Sequence, residues 1–417
     1  MSCSTQTTDE RGNGIPHAKT LGLSESTSAI EELFRSTALE LFEGSADGQA
    51  RAADFFQRNA NAIFEVTRSS TFRRLRMINV MAAKVGSFTT GRRTLSVQLP
   101  ECSPQHGIYI QPSHTRDLHS LSVAAHALVL GVKAECSDED LLRLVLAALC
   151  HDLGHPALGH DSDDLLVELR RPSHEARGME LILRDSQLGT IFRYCGIDPR
   201  EIAEILKERS HLGRILSLAD TLGYLRLDTR MMRIPLEDEF GSNVVNAFLG
   251  STDDALIVSD ISPFERVLAV RAAMYSQVYC QETAMAVKEF FRQTAKALIE
   301  LGLLVFDDLE QGVDAPLLRR MTRLVEKGSS EIPVLHEVWK VVQDVRLLDR
   351  LWKRHVALED SARTSLDEGR IVVPRPDCAK KKLNVRLHNA DGEPVTIRAA
   401  QPESDLKNDD VLVYTRR

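Results

Sequence analysis

The chain has 417 residues, of which 43% are hydrophobic and 27% charged, and a formal net charge of −8. This composition is typical of a globular protein with a sizeable core and is too polar for a membrane protein. The negative net charge argues against strong nucleic-acid binding, which depends mainly on neutralising phosphates. No stretch of sequence is apolar enough to span a bilayer, and the N-terminus lacks a signal-peptide pattern, so we expect a cytoplasmic protein.

The first part of the chain is predicted to be helical between two irregular stretches. Residues 1–25 are rich in Ser, Thr and Gly without periodicity, which predicts a disordered tail. Apolar residues at three- and four-residue spacing then predict a helix over 33–42 and an amphipathic stretch over 52–85. Residues 86–112 break this period and are predicted to form a loop or a small hairpin.

A local basic cluster lies in the second of these helices. It consists of Arg73, Arg74 and Arg76. The cluster is available for a small anionic ligand, and the simpler alternative is a solvated helix face.

Two helices are predicted next, with clear start and stop signals. The first covers 115–130 and is expected to stop at Gly131. Ser137 and Asp140 have the spacing of a capping box at the start of the second helix. That helix, over 141–150, is apolar on nearly every face, which indicates that it is buried.

Helices are predicted to continue to about residue 360. A helix start is marked by Asp198, Pro199 and Glu201, and a long helix is predicted from Ser262 to about Gly302.

The last fifty residues change to an alternating pattern. Apolar residues alternate over 383–387 and again over 395–397, with turn residues at 389–392 between them. This pattern predicts a β-hairpin, which Val411 and Val413 are expected to complete. The predicted fold is therefore mainly α, with a helical core over 26–330 and a helical and β-hairpin appendage over 331–417.

The most informative motif places His151 and Asp152 side by side at the end of the buried helix. Burying an imidazole and a carboxylate without partners is costly, and a bound cation would satisfy both. His119 upstream and Asp220 downstream add two ligands of the same kinds. A single buried histidine is more often an ordinary core group, but two His and two Asp together predict one divalent ion, such as Mn, Fe, Zn or Mg.

The H…HD…D order resembles the HD superfamily of metal-dependent phosphohydrolases. The wider context resembles its deoxynucleoside triphosphate triphosphohydrolase branch. Five segments carry the resemblance: FRRLRMI at 72–78, HTRDLHSLSV at 114–123, HDLGHPALGHDSD at 151–163, SHEARGMELI at 173–182 and ADTLGYLRLDT at 219–229. A weaker sixth segment is RAAMYSQVY at 271–279. The resemblance covers about residues 70–300 and implies an HD-domain helical bundle.

The resemblance also implies roles for individual residues. The metal ligands are His119, His151, Asp152 and Asp220. The catalytic groups are His155, His160, Asp163 and His174. The phosphate contacts are Arg116 and Arg271, and the sugar contacts are Tyr224 and Asp228.

The chemistry of several of these residues agrees with the implied roles. Arg116 precedes His119 by three residues and so lies on nearly the same helix face, where it can clamp a phosphate at the ion. His160, oriented by Asp163, is expected to protonate the leaving oxygen. A simpler alternative to a catalytic role is that Asp163, together with Asp164, caps a helix beginning near residue 165.

Simpler alternatives exist on the substrate side as well. Tyr224 has the pattern of an ordinary core aromatic, and Arg271 that of a solvent-facing helix residue. Two positions also depart from the family pattern. Val80 stands where a Gln usually meets the sugar, and Thr221 stands where a basic residue usually meets phosphate. Neither side chain can supply the missing contact, which weakens the prediction of triphosphate and deoxyribose recognition.

The predicted function is metal-dependent hydrolysis of a (deoxy)nucleoside triphosphate to nucleoside and tripolyphosphate. One alternative is the same chemistry on another phosphomonoester or diester, such as a nucleoside monophosphate or a cyclic nucleotide. Another is a nucleotide-binding regulator without turnover. The expected partner is a small phosphorylated molecule. Relatives commonly form assemblies, so a homo-oligomer is a further expectation.

Overall fold

The computed structural model describes residues 27–80, 88–90, 93–95, 114–232, 234, 236, 239–344, 347–358, 363–373, 386–395 and 410–417. The predicted tail over 1–25 lies outside these ranges. So do residues 383–385 and 397 of the predicted C-terminal strands.

Helices dominate the described chain, which confirms the predicted mainly α class. The helices up to residue 231 are α1 (Thr27–Leu41), α2 (Ala46–Arg68), α3 (Ser70–Arg74), α4 (Arg116–Lys133), α5 (Asp138–Cys150), α6 (Gly159–Glu168), α7 (His174–Arg184), α8 (Ser186–Tyr194), α9 (Pro199–Ile205) and α10 (His211–Met231). Those that follow are α11 (Phe240–Ala247), α12 (Ser262–Met274), α13 (Glu282–Glu300), α14 (Phe306–Glu310), α15 (Asp314–Gly328), α16 (Leu335–Gln343) and α17 (Leu348–Leu351). None of the described helices is both long and apolar enough to cross a membrane.

The centre of the bundle is α4, which is buried along almost its whole length and packs against α1, α5 and α10. It continues to Lys133, so the predicted stop at Gly131 is wrong. A Cβ at Gly131 would lie 2.6 Å from Cδ2 of Leu141, so this glycine lets α5 approach α4 closely. The predicted cap of α5 is confirmed, since the Ser137 side chain accepts from the backbone N–H of Asp140. The predicted helix start at Asp198 is also confirmed, and Asp198 forms a capping box with Glu201 there.

Two predicted helical stretches are interrupted. The stretch over 52–85 ends at Arg68, because the hydroxyl of Ser69 accepts from the N–H of Phe72 and starts α3. The long helix predicted from residue 262 breaks at a π-helical turn, Tyr275–Tyr279, closed by a 2.8 Å hydrogen bond from Cys280 N to Tyr275 O. A π turn adds a residue to the helical repeat, and α13 restarts only at Glu282.

Two short hairpins lie between the helices. The first pairs β1 (Phe88–Thr90) with β2 (Arg93–Leu95) and agrees with the hairpin alternative predicted for this region. The second pairs β3 (Phe248–Ser251) with β4 (Ala255–Val258), where no strands were predicted.

The C-terminal strands belong to two different sheets. A predicted hairpin forms from β7 (Arg386–His388) and β8 (Pro394–Val395), and β7 also pairs in parallel with β4. The expectation that Val411 and Val413 complete this hairpin is wrong. They lie in β9 (Asp410–Arg416), the central strand of a separate sheet between β5 (Trp352–Leu358) and β6 (Arg370–Val373). Buried side chains of that sheet pack on Phe290 of α13 instead.

Replacing Leu149 of α5 tests the packing of the central bundle. Leu149 is 0% exposed, whereas Leu183 of α7 is 49% exposed. Leu149→Ala is expected to lower the free energy of unfolding by about 2–5 kcal/mol, because it removes buried methyl groups and leaves a cavity. Leu183→Ala is the control and should change it by less than about 0.5 kcal/mol in urea unfolding. Equal effects of the two substitutions would contradict this packing.

The buried His126 of α4 predicts a pH dependence of stability. Burial lowers the pKa of His126 from 6.5 to about 4, although Nδ1 lies 2.8 Å from the carbonyl oxygen of Ser122. The unfolded chain therefore takes up a proton at a pH where the folded chain does not. This contribution to stability is complete above pH 6.5 and falls by about 2–3 kcal/mol as the pH approaches 4.

The test compares urea unfolding of wild type and His126→Gln between pH 7 and pH 4.5. The variant should lose less stability over this interval. His211→Gln, at an exposed histidine, should behave as the wild type does. An unchanged pH dependence in His126→Gln would show that the histidine is not held neutral.

Candidate metal centre and active site

The four predicted metal ligands converge from three separate stretches of chain. His119 comes from α4, His151 and Asp152 from the end of α5, and Asp220 from α10. His119 Nε2 lies 3.2 Å from His151 Nε2, 3.1 Å from Asp220 Oδ1 and 3.7 Å from Asp152 Oδ2. His151 Nε2 lies 3.5 Å from Asp152 Oδ1 and 3.7 Å from Asp220 Oδ1. The ligand atoms of this His-His-Asp-Asp cluster therefore surround one point.

The donor set fits a divalent cation. Two imidazole nitrogens face each other beside two carboxylates, and such a mixture suits hard or borderline metals. His151 Nδ1 lies 2.7 Å from the carbonyl oxygen of Ala148, so it can donate there and direct Nε2 towards the cluster. His119, His151 and Asp152 thus form a candidate metal-binding group in their own right.

Asp152 links this centre to the neighbouring groups. Its carboxylate is 4% exposed and accepts from Arg116 Nη1 at 2.6 Å. Its other oxygen lies 3.1 Å from His155 Nε2. Burial by itself raises the pKa of Asp152, but Arg116, His151 and His155 outweigh it and hold the pKa well below the usual range. Asp152 is therefore an anion at neutral pH.

Arg116 is buried beside the metal centre with donors to spare. It is 2% exposed, and within the described part of the chain its Nε and Nη2 have no hydrogen-bond partner. A buried guanidinium with unsatisfied donors is well suited to an anionic ligand, and phosphate oxygens match its geometry.

Three of the predicted catalytic side chains form a histidine cluster. The rings of His155 and His174 stack with centroids 3.9 Å apart. The ring of His160 lies 4.7 Å from that of His155 and 5.1 Å from that of His174, edge-on in both cases. Burial, assisted by the charge of Arg116, holds the pKa of His155 well below its usual range. His155 is therefore a neutral imidazole.

Asp163 serves a different histidine from the one predicted. Its carboxylate lies 2.7 Å from His174 Nδ1 and accepts from Arg177 Nη2 at 2.6 Å, whereas we expected it to orient His160. His174, the first residue of α7, reaches Asp163 in α6 although the two lie eleven residues apart in the sequence. Asp163 lies inside α6, so the alternative that it caps this helix is also wrong.

The site opens into a cavity of about 1100 Å³. Every predicted site residue except Asp163 lines it. Val80 lines it as well, whereas Thr221 is not among the described lining residues, and the Thr221 hydroxyl donates to the carbonyl oxygen of Ser217 in its own helix at 3.0 Å.

One wall of the cavity is aromatic. It contains Tyr224 from α10 and Tyr275 and Tyr279 from the π turn. The guanidinium carbon of Arg271 lies 5.5 Å from the ring centroid of Tyr275. The hydroxyl of Tyr279 donates to Asp228, a buried carboxylate that His114 Nδ1 also approaches to 3.3 Å. The predicted sugar contact Asp228 is thus already bound to protein groups.

Sequence reasoning missed several lining residues. Tyr275 and Tyr279 lay within the weakest matching segment, but their roles depend on the π turn, which has no periodic signal. Lys288 and Arg292 of α13 also line the cavity. Their spacing of four residues is that of any helix face, so nothing in the sequence distinguished them.

Acidic side chains neutralise both of these basic residues. Lys288 Nζ lies 2.5 Å from Asp164 and 3.7 Å from Asp161. Arg292 binds Glu289 at 2.8 Å and also contacts Glu168. The pairs with Asp161, Asp164 and Glu168 join α13 to α6 at the cavity.

The helical bundle holds a buried His-Asp centre and a histidine cluster in one cavity. This arrangement is typical of metal-binding helical proteins. The HD domain family matches residues 116–225, which contain all four predicted metal ligands. The chain thus contains an HD domain over residues 116–225 and resembles the HD superfamily of phosphohydrolases, as its sequence motifs predicted.

Comparisons with individual proteins agree with this placement. The chain is 33% identical over 119 residues to a deoxynucleoside triphosphate triphosphohydrolase of Bos taurus, covering 25% of this chain and 20% of that protein. It is 42% identical over 72 residues to a deoxyguanosinetriphosphate triphosphohydrolase-like protein of Jannaschia sp., covering 16% and 17%. The match to the bovine protein thus spans about a fifth of its length.

A solved structure shares the fold over a larger part of the chain. It is a phosphohydrolase from Bacteroides thetaiotaomicron, with a TM-score of 0.57 at 17% identity. The match covers 85% of this chain and 95% of that one, so the similar architecture extends well beyond the matched HD domain.

Removing one imidazole from the cluster should empty the metal site. His151→Ala is expected to lower the content of bound divalent metal by at least about tenfold after dialysis, because three ligands hold an ion less well than four. Elemental analysis of the purified protein measures this. His211→Ala, at an exposed histidine outside the cavity, is the matched control. Equal metal content in the two variants would contradict the assignment.

Proposed function

We propose that the protein is a metal-dependent phosphohydrolase that acts on (deoxy)nucleoside triphosphates and releases nucleoside and tripolyphosphate. The observation that carries the proposal is one cavity shared by the His-His-Asp-Asp cluster, the histidine cluster and the unsatisfied donors of Arg116. The names of the bovine and Jannaschia relatives support the substrate class.

The proposed metal ligands are His119, His151, Asp152 and Asp220. A divalent ion bound there would supply Lewis acidity towards a phosphoryl oxygen and would make attack by water feasible near neutral pH. Mn, Fe, Zn and Mg are the candidates that the donor set allows.

The protein's own groups supply the remaining steps. Arg116 donates Nε–H and Nη2–H to a phosphoryl oxygen, which holds the phosphorus next to Asp152. His160 gives a proton to the oxygen that leaves, and the rings of His155 and His174 fix its position. Asp163 holds His174 through Nδ1 and thereby steadies the cluster.

The aromatic wall is the proposed nucleoside side of the cavity. Tyr224, Tyr275 and Tyr279 offer flat apolar surfaces against which a sugar or base can pack. Arg271 lies at the same wall and is proposed to contact phosphate. Asp228 is proposed to act here through Tyr279, whose hydroxyl it holds.

A second candidate is hydrolysis of a phosphomonoester or diester, such as a nucleoside monophosphate or a cyclic nucleotide. Val80 lines the cavity and cannot hydrogen-bond a sugar hydroxyl. Lys288 and Arg292 are already neutralised by acidic side chains, and Thr221 carries no charge. Neither α13 residue is thus free to bind a triphosphate, whereas a single phosphate needs only Arg116 and the ion.

A cytoplasmic location and a homo-oligomeric state accompany the proposal as predictions. A regulator that binds nucleotide without turnover is the third alternative, and a complete set of catalytic groups argues against it.

Turnover of a substrate panel tests the proposal. Purified protein with Mn²⁺ is incubated with each dNTP, each NTP, a dNMP, a cyclic nucleotide and bis(p-nitrophenyl) phosphate. Nucleoside and tripolyphosphate are then quantified by chromatography. Release of both from a triphosphate is the expected result. His160→Ala should lower kcat by about 10²–10⁴-fold, because it removes the proton donor. His211→Ala should leave kcat unchanged.

Other results would decide between the alternatives. If only the monophosphate or the diesters were turned over, triphosphate hydrolysis would be rejected in favour of phosphomonoester or diester hydrolysis. Nucleotide binding in calorimetry without any turnover by the metal-loaded protein would favour the regulator.

A further inference from the structure

The loop between α5 and α6, residues 151–158, presents His151, Asp152 and His155 to the cavity. We call it the HD loop. Its local backbone hydrogen bonds are short-range turns: Leu153 N to Cys150 O at 3.2 Å, His155 N to Asp152 O at 3.1 Å, Gly159 N to Pro156 O at 3.1 Å and Asp161 N to Leu158 O at 3.2 Å. Its conformation therefore depends on partners outside it.

Crowding and an unusual backbone angle also restrict the HD loop. A Cβ at Gly154 would lie 2.0 Å from the carbonyl oxygen of His174, so the loop passes α7 at a distance that only glycine allows. Leu158 closes the loop with a φ of +60°, which is uncommon for a residue with a side chain. Neither feature would persist without restraint from the surrounding structure.

Two arginines hold three consecutive carbonyls of the loop. Arg74 Nη2, from α3, donates to Leu153 O at 2.9 Å and to His155 O at 2.6 Å. Arg177 Nε, from α7, donates to Gly154 O at 3.1 Å. Arg74 also reaches Gly312 O at 3.2 Å, which ties the loop to the turn before α15.

Asp314 holds the far end of the same loop. This carboxylate is 1% exposed, and its Oδ1 accepts from Leu158 N at 2.7 Å. Its Oδ2 accepts from the backbone and side-chain nitrogens of Asn79 at 2.8 and 3.0 Å. Ala157 N donates to Leu309 O at 2.9 Å, so α14 and α15 together fix this end.

We propose that Arg74 and Asp314 are positioning residues that clamp the HD loop and so set the placement of His155 against Asp152. Neither is among the described residues that line the cavity, and both lie outside the matched segment 116–225. The basic cluster containing Arg74, which we expected to bind an anion or face solvent, thus has a third use. Arg76 of that cluster lies 3.6 Å from Asp117.

Arg74 and Asp314 contact backbone atoms of the HD loop. They therefore set the position of His155 without touching a metal ion or a substrate. His155 Nε2 lies 3.1 Å from Asp152 Oδ1, and both residues belong to the clamped loop. Small displacements of reacting groups cost large factors in rate. The catalytic consequence rests on the proposed function, whereas the restraint of the loop does not.

The experiment compares Arg74→Lys and Asp314→Asn with matched substitutions at exposed neighbours, Arg73→Lys and Asp307→Asn. Hydrogen exchange of peptides covering 153–158 is measured by mass spectrometry, together with kcat and KM at saturating Mn²⁺ on the substrate that the wild type turns over. Thermal unfolding identifies any variant that is not folded. In that case Asn79→Ala, which removes a single hydrogen bond to Asp314, takes its place.

The clamp predicts exchange about tenfold faster within 153–158, kcat lowered about 10–100-fold and KM within about twofold of wild type, as for other supporting groups around an active site. The control variants should match the wild type. In a His155→Ala background, Arg74→Lys should lower kcat little further, because its effect passes through His155.

Folded variants with wild-type exchange and wild-type kcat would overturn the proposal. The proposal would also fail if Arg74→Lys lowered kcat by the same factor in the His155→Ala background as in the wild type. If the wild type turned over no substrate, the proposed function would fail, and the exchange measurement alone would decide whether the clamp exists.

Discussion

The carboxylate of Asp152 is the point on which the whole site depends. One oxygen binds Arg116 and the other approaches His155, and both face the imidazoles of the metal cluster. A buried carboxylate without such partners would cost several kcal/mol. Arg116 from α4 and His155 from the HD loop therefore offset the cost of burying Asp152, and a cation bound at the cluster would offset it further. The requirement for stability and the requirement for chemistry coincide at one residue.

The helical scaffold supplies the energy that holds these charged groups together. Leu144, Leu146 and Leu149 of α5 are all fully buried, and each contributes roughly 1.5–3 kcal/mol relative to an exposed side chain. An apolar helix that ends in His-Asp is thus an economical way to place two ligands in a dry pocket.

The convergence of His119, His151, Asp152 and Asp220 was predictable from the sequence, because their order resembles the HD pattern although each residue alone is weak evidence. Ser137 was predictable as well, since a cap is a local signal. The partner of Asp163 was not, because α6 and α7 had to be oriented before His174 could be distinguished from His160. The hydrogen bonds from Arg74 to carbonyls of the HD loop were equally unpredictable, because they join residues about eighty positions apart in the sequence.

Interruptions and short strands were also beyond sequence reasoning. The π turn at 275–279 has no periodic signal in the sequence, yet it carries two tyrosines that line the cavity. The β3–β4 hairpin has strands of only four residues, too short for a reliable alternating pattern. The pairing of β7 with β4 joins positions more than a hundred residues apart.

That pairing has a consequence for the behaviour of the chain in a crowded solution. The strand β4 has the sequence ALIV, with β3 along one side and β7 along the other. Without β7, its outer row of backbone N–H and C=O groups would be open on a short, strongly apolar strand, which is an effective template for addition of a strand from another molecule. Residues 386–395 therefore protect the edge of β4 from pairing with other molecules. Their deletion is expected to reduce solubility before it disturbs the metal site.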